Sequence, residues 1–317
     1  MTRTKKQSTA AAVREIRRRT RRKFAPEEKV RIVLEGLRGE QSISKSAVSR
    51  RFVALSQKQM ITWLTTPLGD RAFPIVMIDG IVLGDHTILI ALGIDTDGKK
   101  QILGLREGAT ENSRVAKALL RDLIDRGLSQ EQARLFVIDG SKAIRAAIRK
   151  IFGHLGVVQR CQLHKLRNVL GHLPEHLHAG VKAVLAEAWA MNDAPVAQRR
   201  LERLASSLEV DHPGAAGSAR EGLDETMTLQ RLGVAGPLYR KLRSTNAIEN
   251  LNSGIATYTR NVKRWRGGSM AVRWVSTAIQ EAEKKFRRVQ GFRDIEKLMK
   301  ALERVETEDE AAAKRVA

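Results

Sequence analysis

The sequence predicts an α/β protein: a mixed sheet interrupted by an all-helical insertion and preceded by a small helical head. Three observations carry that prediction. Short apolar runs separated by turn residues fill positions 73–160, and Ala/Leu periodicity of the helical kind takes over after 162. Two of the apolar runs, Ile75-Val-Met-Ile-Asp79-Gly80 and Leu135-Phe-Val-Ile-Asp139-Gly140, end in the same three letters. A carboxylate at the mouth of a buried strand is costly unless a cation sits there.

The first elements are basic. Residues 1–24 form an arm in which Arg3, Lys5, Lys6, Arg14, Arg17, Arg18, Arg19, Arg21, Arg22 and Lys23 face only Glu15. Like charge at that density stays disordered until phosphates neutralise it. Pro26 opens a helix with Glu27 and Glu28 at its positive end, and Val30, Val33, Leu34 and Leu37 make one apolar stripe before Gly39. A second helix starts near Ser44, with Val48, Phe52 and Leu55 inward and Lys45, Ser49, Arg50 and Arg51 outward. Helix, short turn and basic helix over 25–70 is the helix-turn-helix plan, whose second helix enters the DNA major groove.

The period then changes. Strands are expected at 75–79, His86–Ile94 and 101–105, with Gly84-Asp85 and Asp95-Thr-Asp97-Gly98 as hairpin turns. Thr110 or Asn112 caps a helix running to Arg126, with Val115, Leu119, Leu120 and Leu123 as its stripe and Gly127 as its stop. A strand over 134–139, a helix over 141–152 and a strand over 156–160 follow. Three hairpin-linked strands, helix, strand, helix, strand is the order of a ribonuclease H-like fold. In that order the first and fourth strands lie side by side, so Asp79 and Asp139 become neighbours.

Residues 162–240 read as helical, with clear periodicity from Val181 to Leu208 and a flexible break at Asp211-His-Pro-Gly-Ala-Ala-Gly-Ser218. Any of Ser244, Thr245 and Asn246 can cap the next helix, whose buried stripe is Ile248, Leu251 and Ile255. Glu249 falls beside that stripe, with Asn252 and Ser253 on the same face. Residues 271–305 form a basic amphipathic helix or pair, and 306–317 a polar tail.

Composition names the partner. Lys and Arg number 57 against 35 Asp and Glu, a net charge of +22, and residues 1–60 alone hold 17 Lys and Arg against five Glu. So uneven a positive charge points to nucleic acid. No run of eighteen apolar residues suggests a membrane span. The single cysteine, Cys161, excludes an internal disulfide framework and suits a reducing cytoplasm, and the expected DNA partner makes the chain nucleoid-associated there.

Two converging aspartates need hard-metal chemistry, Mg²⁺ or Mn²⁺, and a third carboxylate. Glu249 is placed there because packing its helix on the sheet brings it to Asp79 and Asp139. Glu187, Glu202 and Glu225 remain rivals on periodicity alone. Three carboxylates can hold two ions for an in-line displacement at phosphorus.

Met77-Ile-Asp-Gly80, Ala91-Leu-Gly-Ile-Asp95, Leu103-Gly-Leu-Arg-Glu-Gly-Ala-Thr-Glu-Asn112, Cys161-Gln-Leu-His-Lys165 and Asn246-Ala-Ile-Glu-Asn250 closely resemble the Mutator-type transposases of bacterial insertion sequences. The resemblance runs from about Ser44 to Arg293. It implies a DDE transposase with Asp79, Asp139 and Glu249 as catalytic metal ligands, a core over 71–164 and 243–305, and a helical insertion over 165–242. It further implies cleavage of element ends and transfer of 3′-hydroxyls into target DNA, so the expected partners are terminal-repeat and target duplexes and a homodimer or larger assembly on them. The stretch 21–42 instead resembles the helix-turn-helix subunit of a different insertion-sequence family. A catalytically silent DNA-binding regulator is therefore the competing reading, and a nuclease that cuts without joining is a third.

Blander roles stand beside the sharp ones. Asp79 and Asp139 each precede glycine and can be turn residues. Asp95 and Asp97 suit a hairpin, although Asp95 is also the best substitute ligand. Cys161 and His164 form a Cys-x-x-His pair with His172, His176 and His178 downstream, but structural zinc wants four ligands, commonly with two cysteines. The pair is expected to pack near the active site. Arg260, Lys263, Arg264 and Trp265 are expected to contact DNA, with the indole stacking on a base. Trp274, in the apolar stretch Val272–Val275, and Trp189 each read as either core or a base-stacking residue.

Overall fold

The computed structural model describes residues 43–69, 71–108 and 112–316, so the expectations for the basic arm and for the helix after Pro26 lie outside the described residues. The chain divides into residues 1–57 and 58–317. Of the first unit, only the opening part of α1 (Ile43–Thr65) is described. Leu55, expected to face inward, is 50% exposed, while Trp63 and Leu64 pack against the core. No described helix is long and apolar enough to cross a membrane.

The sheet comprises β1 (Ile75–Leu83), β2 (His86–Ile94), β3 (Lys100–Gly108), β4 (Arg134–Ile138) and β5 (Gly156–Arg160), in the order β3-β2-β1-β4-β5. The first two pairings are antiparallel hairpins, and β1–β4 and β4–β5 are parallel. Parallel neighbours need a crossover, supplied by α2 (Ser113–Asp125) and α3 (Lys142–Phe152). Asn112 caps α2, its side chain accepting from the N–H groups of Arg114 and Val115.

Alternation assigns the faces. Val76, Ile78, Phe136 and Ile138 pack with Leu119, Leu120, Leu123, Ile144 and Ile148 of α2 and α3. Ile75, Met77, Leu135 and Val137 point the other way, onto α11 (Asn246–Thr259), α12 (Gly268–Glu283) and α13 (Ile295–Val316). A sheet buried on both sides has near-continuous apolar strands, which is why β1, β2 and β4 read so clearly. The C-terminal region is thus a helix pair, and α13 continues past residue 305 to Val316.

Between β5 and α11 every described element is helical: α4 (Gln162–Leu170), α5 (Glu175–Ala190), α6 (Ala194–Ser207), α7 (Pro213–Arg220), α8 (Leu223–Thr226), α9 (Thr228–Arg231) and α10 (Gly236–Leu242). A separate core of Val169, Leu185, Trp189, Leu201 and Met227 holds most of them together. The expected break at 211–218 is instead the helix α7. Pro213 sits in its first turn, where a missing N–H costs nothing, and Ala215, Ala216 and Ala219 are buried. Small residues that look like linker composition serve here as close-packing surface. Trp189 is 5% exposed and donates Nε1–H to Thr226 Oγ1 at 3.3 Å, which makes it a core residue.

Candidate active site

Register and alternation bring the aspartates together. The parallel pairing of β1 with β4 ends at Ile78↔Ile138, so Asp79 and Asp139 are the next residues on each chain segment. Both share the parity of Met77 and Val137, hence the face covered by α11. Asp79 is not at a strand mouth, as expected from sequence, because β1 runs on to Leu83 paired with β2. It lies mid-strand, where β4 stops and leaves one side of β1 open. Asp139 starts a turn in which its Oδ1 accepts the Ser141 N–H at 2.9 Å. Gly140 takes φ +113°, and a Cβ there would lie 2.4 Å from Arg160 Nε.

Helix α11 delivers the third carboxylate. Ile248, Leu251 and Ile255 are buried as expected and anchor it on the sheet. Thr245 sits at its N-cap, but its hydroxyl makes no capping bond; Oγ1 donates instead to Glu249 Oε1 at 2.6 Å. Asn252, one turn on, donates Nδ2–H to Asp79 Oδ2 at 2.7 Å. The asparagine's own Oδ1 is buried without a protein partner. Burial and then the charge of Asp139 push the Asp79 carboxyl up to about 6, with Glu249 adding to the repulsion.

The Cys-Gln-Leu-His-Lys motif faces two ways. Cys161 N–H donates to Ile138 O at 2.7 Å, fixing the start of α4 beside the end of β4. His164 Nδ1 lies 3.8 Å from Glu249 Oε1 and 3.4 Å from Thr245 Oγ1. A hydrogen bond with Cys161, then the nearby negative charges, hold the His164 imidazole above its usual range against the effect of burial. Burial pushes the Cys161 thiol up, yet its bonds with His164 and Thr245 outweigh that and hold it below the usual value. On the other side, buried Gln162 donates to Thr226 O at 2.9 Å, and Lys165 Nζ donates to the carbonyls of Ser218 and Glu221. Burial draws Lys165 down to about 8. The same helix therefore ties the acid cluster to the helical insertion.

Other expected residues fall elsewhere. Glu225 pairs with Arg145 at 3.1 Å, Glu187 with Arg200, and Glu202 accepts from Gln198, so these three acids are engaged away from the cluster. Asp95 holds the β2–β3 turn, its Oδ1 accepting Lys99 N–H at 2.8 Å. Following Ile94, which pairs with Ile75, it lies at the opposite end of β1 from Asp79. Trp265 is half-buried and packs edge-on against Trp274, ring centroids 6.1 Å apart. Trp274 is core, one of the two roles left open by sequence. Arg260 and Arg264 are exposed and Lys263 is exposed beside them on the turn after α11, while Lys45, Arg50 and Arg51 lie on α1. Arg17, Arg18, Arg19, Arg21 and Arg22 are outside the described residues.

Thr245 and Asn252 are the site residues that sequence reasoning undervalues. The first reads only as a cap and the second only as a face-mate of Glu249. Their signal is position: four before and three after the acid, on one helical face.

These observations define an α/β protein with a three-carboxylate cluster where two parallel strands part, its third acid carried by a helix from beyond an all-helical insertion. A family model described as "Transposase, Mutator family" matches residues 26–289, and the chain belongs to that family. Its relatives include the transposase for insertion sequence element IST2 of Acidithiobacillus ferrooxidans, 28% identical over 200 residues, 63% of this chain and 66% of that one. The transposase for insertion sequence element IS256 in transposon Tn4001 of Staphylococcus aureus is 26% identical over 264 residues, covering 80% of this chain and 65% of the relative. The transposase for insertion sequence element IS406 of Burkholderia multivorans is 29% identical over 262 residues, with 79% and 65% covered. The chain thus spans just under two thirds of the length of these relatives.

Proposed function

We propose that this chain is a DDE-type transposase on a ribonuclease H-like core, cutting DNA at element ends and joining the 3′-hydroxyls to a target. The observation that carries the reading is the convergence of Asp79, Asp139 and Glu249 from three separate elements, with Asp79 pushed up to about 6 by burial and by its acidic neighbour. A cluster that repels itself is suited to divalent cations. The donor set fits: the three carboxylates offer hard oxygens, and Asn252 Oδ1 is a buried acceptor with no protein partner. Two Mg²⁺ or Mn²⁺ ions held by the three acids would supply Lewis-acid activation of the attacking hydroxyl and stabilisation of the leaving oxygen.

The chain's own work is positioning. Asn252 fixes one oxygen of Asp79, and Thr245 fixes one oxygen of Glu249. The Ser141 N–H orients Asp139. Side chains locked in this way keep the acids from relaxing apart before substrate arrives. DNA would be drawn by the positive charge of residues 1–60 and by the basic groove along β5, a cavity of about 1010 Å³ lined by Arg145, Arg149, Arg231 and Arg304.

The test is a set of shape-conserving variants. Asp79→Asn, Asp139→Asn and Glu249→Gln should each bind end-containing DNA yet neither cleave nor join it with Mg²⁺, while Glu187→Gln, Glu202→Gln and Glu225→Gln remain active. Normal cleavage by Glu249→Gln, or by both aspartate variants, would overturn the assignment. Cleavage without strand-transfer products would reduce the activity to that of a nuclease.

A further inference from the structure

Cys161, His164 and Glu249 each present one ligand atom, and the sulfur, ring nitrogen and carboxylate oxygen lie within 4.8 Å of one another. The backbone that carries them is already set. Cys161 N–H is bonded to Ile138 O at 2.7 Å, and Gln162 N–H to Arg243 O at 2.9 Å, which clips α4 to the chain entering α11. His164 follows Cys161 by three residues and so shares its helical face, with Lys165 N–H accepted by Cys161 O at 3.0 Å. Tetrahedral coordination with bonds of about 2.0–2.3 Å places ligand atoms about 3.3–3.8 Å apart, within reach of side-chain rotation alone.

The set differs in kind from the three acids. Mg²⁺ takes oxygens, whereas a thiolate with an imidazole selects zinc-like ions. Three protein ligands with one position left to solvent is the arrangement of an open zinc site. Cys161 is fully buried, while the His164 and Glu249 side chains are 28% and 29% exposed, so solvent reaches the ligand set from their side. The downstream histidines do not close it: His178 Nε2 is bonded to Leu173 O at 2.9 Å, and His172 lies against Gly214.

We propose that Cys161, His164 and Glu249 bind a thiophilic divalent cation of the zinc class, and that its binding takes Glu249 out of the acid cluster. On binding, the Cys161 thiol proton passes to solvent and Glu249 Oε1 exchanges its Thr245 bond for the ion. No oxidation or reduction is involved. The shared glutamate makes the two kinds of ion mutually exclusive, so a zinc-class ion switches off Mg²⁺-dependent chemistry without unfolding the chain. This second step rests on the transposase reading; the binding itself does not.

Cobalt(II) is the probe. Metal-stripped full-length protein titrated with Co²⁺ should take up one ion per chain, showing the visible bands of tetrahedral cobalt and a thiolate-to-cobalt charge-transfer band. Cys161→Ser should lose the charge-transfer band, and His164→Ala and Glu249→Gln should each weaken Co²⁺ binding by about ten-fold or more. Zn²⁺ should bleach the spectrum by displacement. Glu249→Gln keeps shape and removes charge, so its loss of cobalt reads on ligation and not on folding. A six-coordinate spectrum without charge transfer, or identical binding by Cys161→Ser, would overturn the site. In cleavage assays with Mg²⁺, Zn²⁺ should inhibit the wild type at concentrations about ten-fold below those that inhibit Cys161→Ser, each measured against its own uninhibited rate. Equal inhibition overturns the switch. Absence of any wild-type cleavage would sink the transposase reading while the cobalt spectrum still decides the site.

Discussion

Replacing Asp79 by asparagine should stabilise the metal-free protein, and the structure sets the size of the gain. The carboxyl is pushed from 3.8 to about 6 by burial, then by the Asp139 charge. A group whose pKa is raised on folding favours the native state fully only below its unfolded value, and that advantage is lost as pH rises through the folded value. Relative to a neutral side chain, ionised Asp79 therefore costs about 3 kcal/mol at pH 8 and about half that at pH 5. Asparagine keeps an oxygen for the Asn252 amide, now 2.7 Å from Asp79 Oδ2, so little else changes. Urea unfolding in the presence of a chelator should show Asp79→Asn more stable than wild type at pH 8, with the gain shrinking toward pH 5. Saturating Mg²⁺ should reverse the order, because ligands that bind only the native state stabilise it. A variant less stable than wild type at pH 8 with chelator, or a gain independent of pH, would refute the account of Asp79 as a buried carboxylate beside like charge.

Gly140→Ala forces a Cβ to within 2.4 Å of Arg160 Nε at a φ of +113°, so it should lower stability by about 1–3 kcal/mol in denaturant titration. Leu251→Ala removes a buried anchor of α11 and should cost about 2–5 kcal/mol by the same measurement, while a change under about 0.5 kcal/mol would show that the helix is held elsewhere. Deletion of residues 1–24 should flatten the log–log salt dependence of DNA affinity by about 0.9 for each phosphate that the arm neutralises, and an unchanged slope would make the arm a solvated tail.

Particular residues show what can be read in advance. The strands are legible because both sheet faces are buried, leaving uninterrupted apolar runs, and the two Ile-Asp-Gly ends carry the register of β1 against β4. Asp79 reads as a strand end because nothing local reveals that β1 outruns β4 by pairing on with β2. Glu249 is not separated from Glu187, Glu202 and Glu225 by periodicity, since an acid on any amphipathic helix looks alike until the helix has a partner. Pro213 through Ser218 read as a break because a run of Gly, Ala and Ser lacks an apolar stripe, although burial against α4 and α6 is what makes them helical here. Trp265 offers an aromatic between two arginines, a pattern that fixes neither which face of the ring meets the protein nor that Trp274 lies edge-on to it.

The separation of Glu249 from the two aspartates also imposes an order of events on a growing chain. All five strands, with α2 and α3 on one face, are complete by Arg160. The opposite face, with Ile75, Met77, Ile88, Ile90, Leu135 and Val137, is covered in part by Leu229, Val234, Leu238 and Leu242 and is completed only by residues 246 onward. At about 5–20 residues per second, a ribosome needs on the order of 5–20 s to cross the intervening stretch. For that interval the nascent chain exposes one greasy side of a finished sheet, a surface that invites aggregation or chaperone capture. The third acid arrives on one of the helices that cover this surface, so closing the sheet and completing the acid cluster are linked late events. A chain stopped anywhere within the helical insertion carries two aspartates and no means of bringing in the third acid.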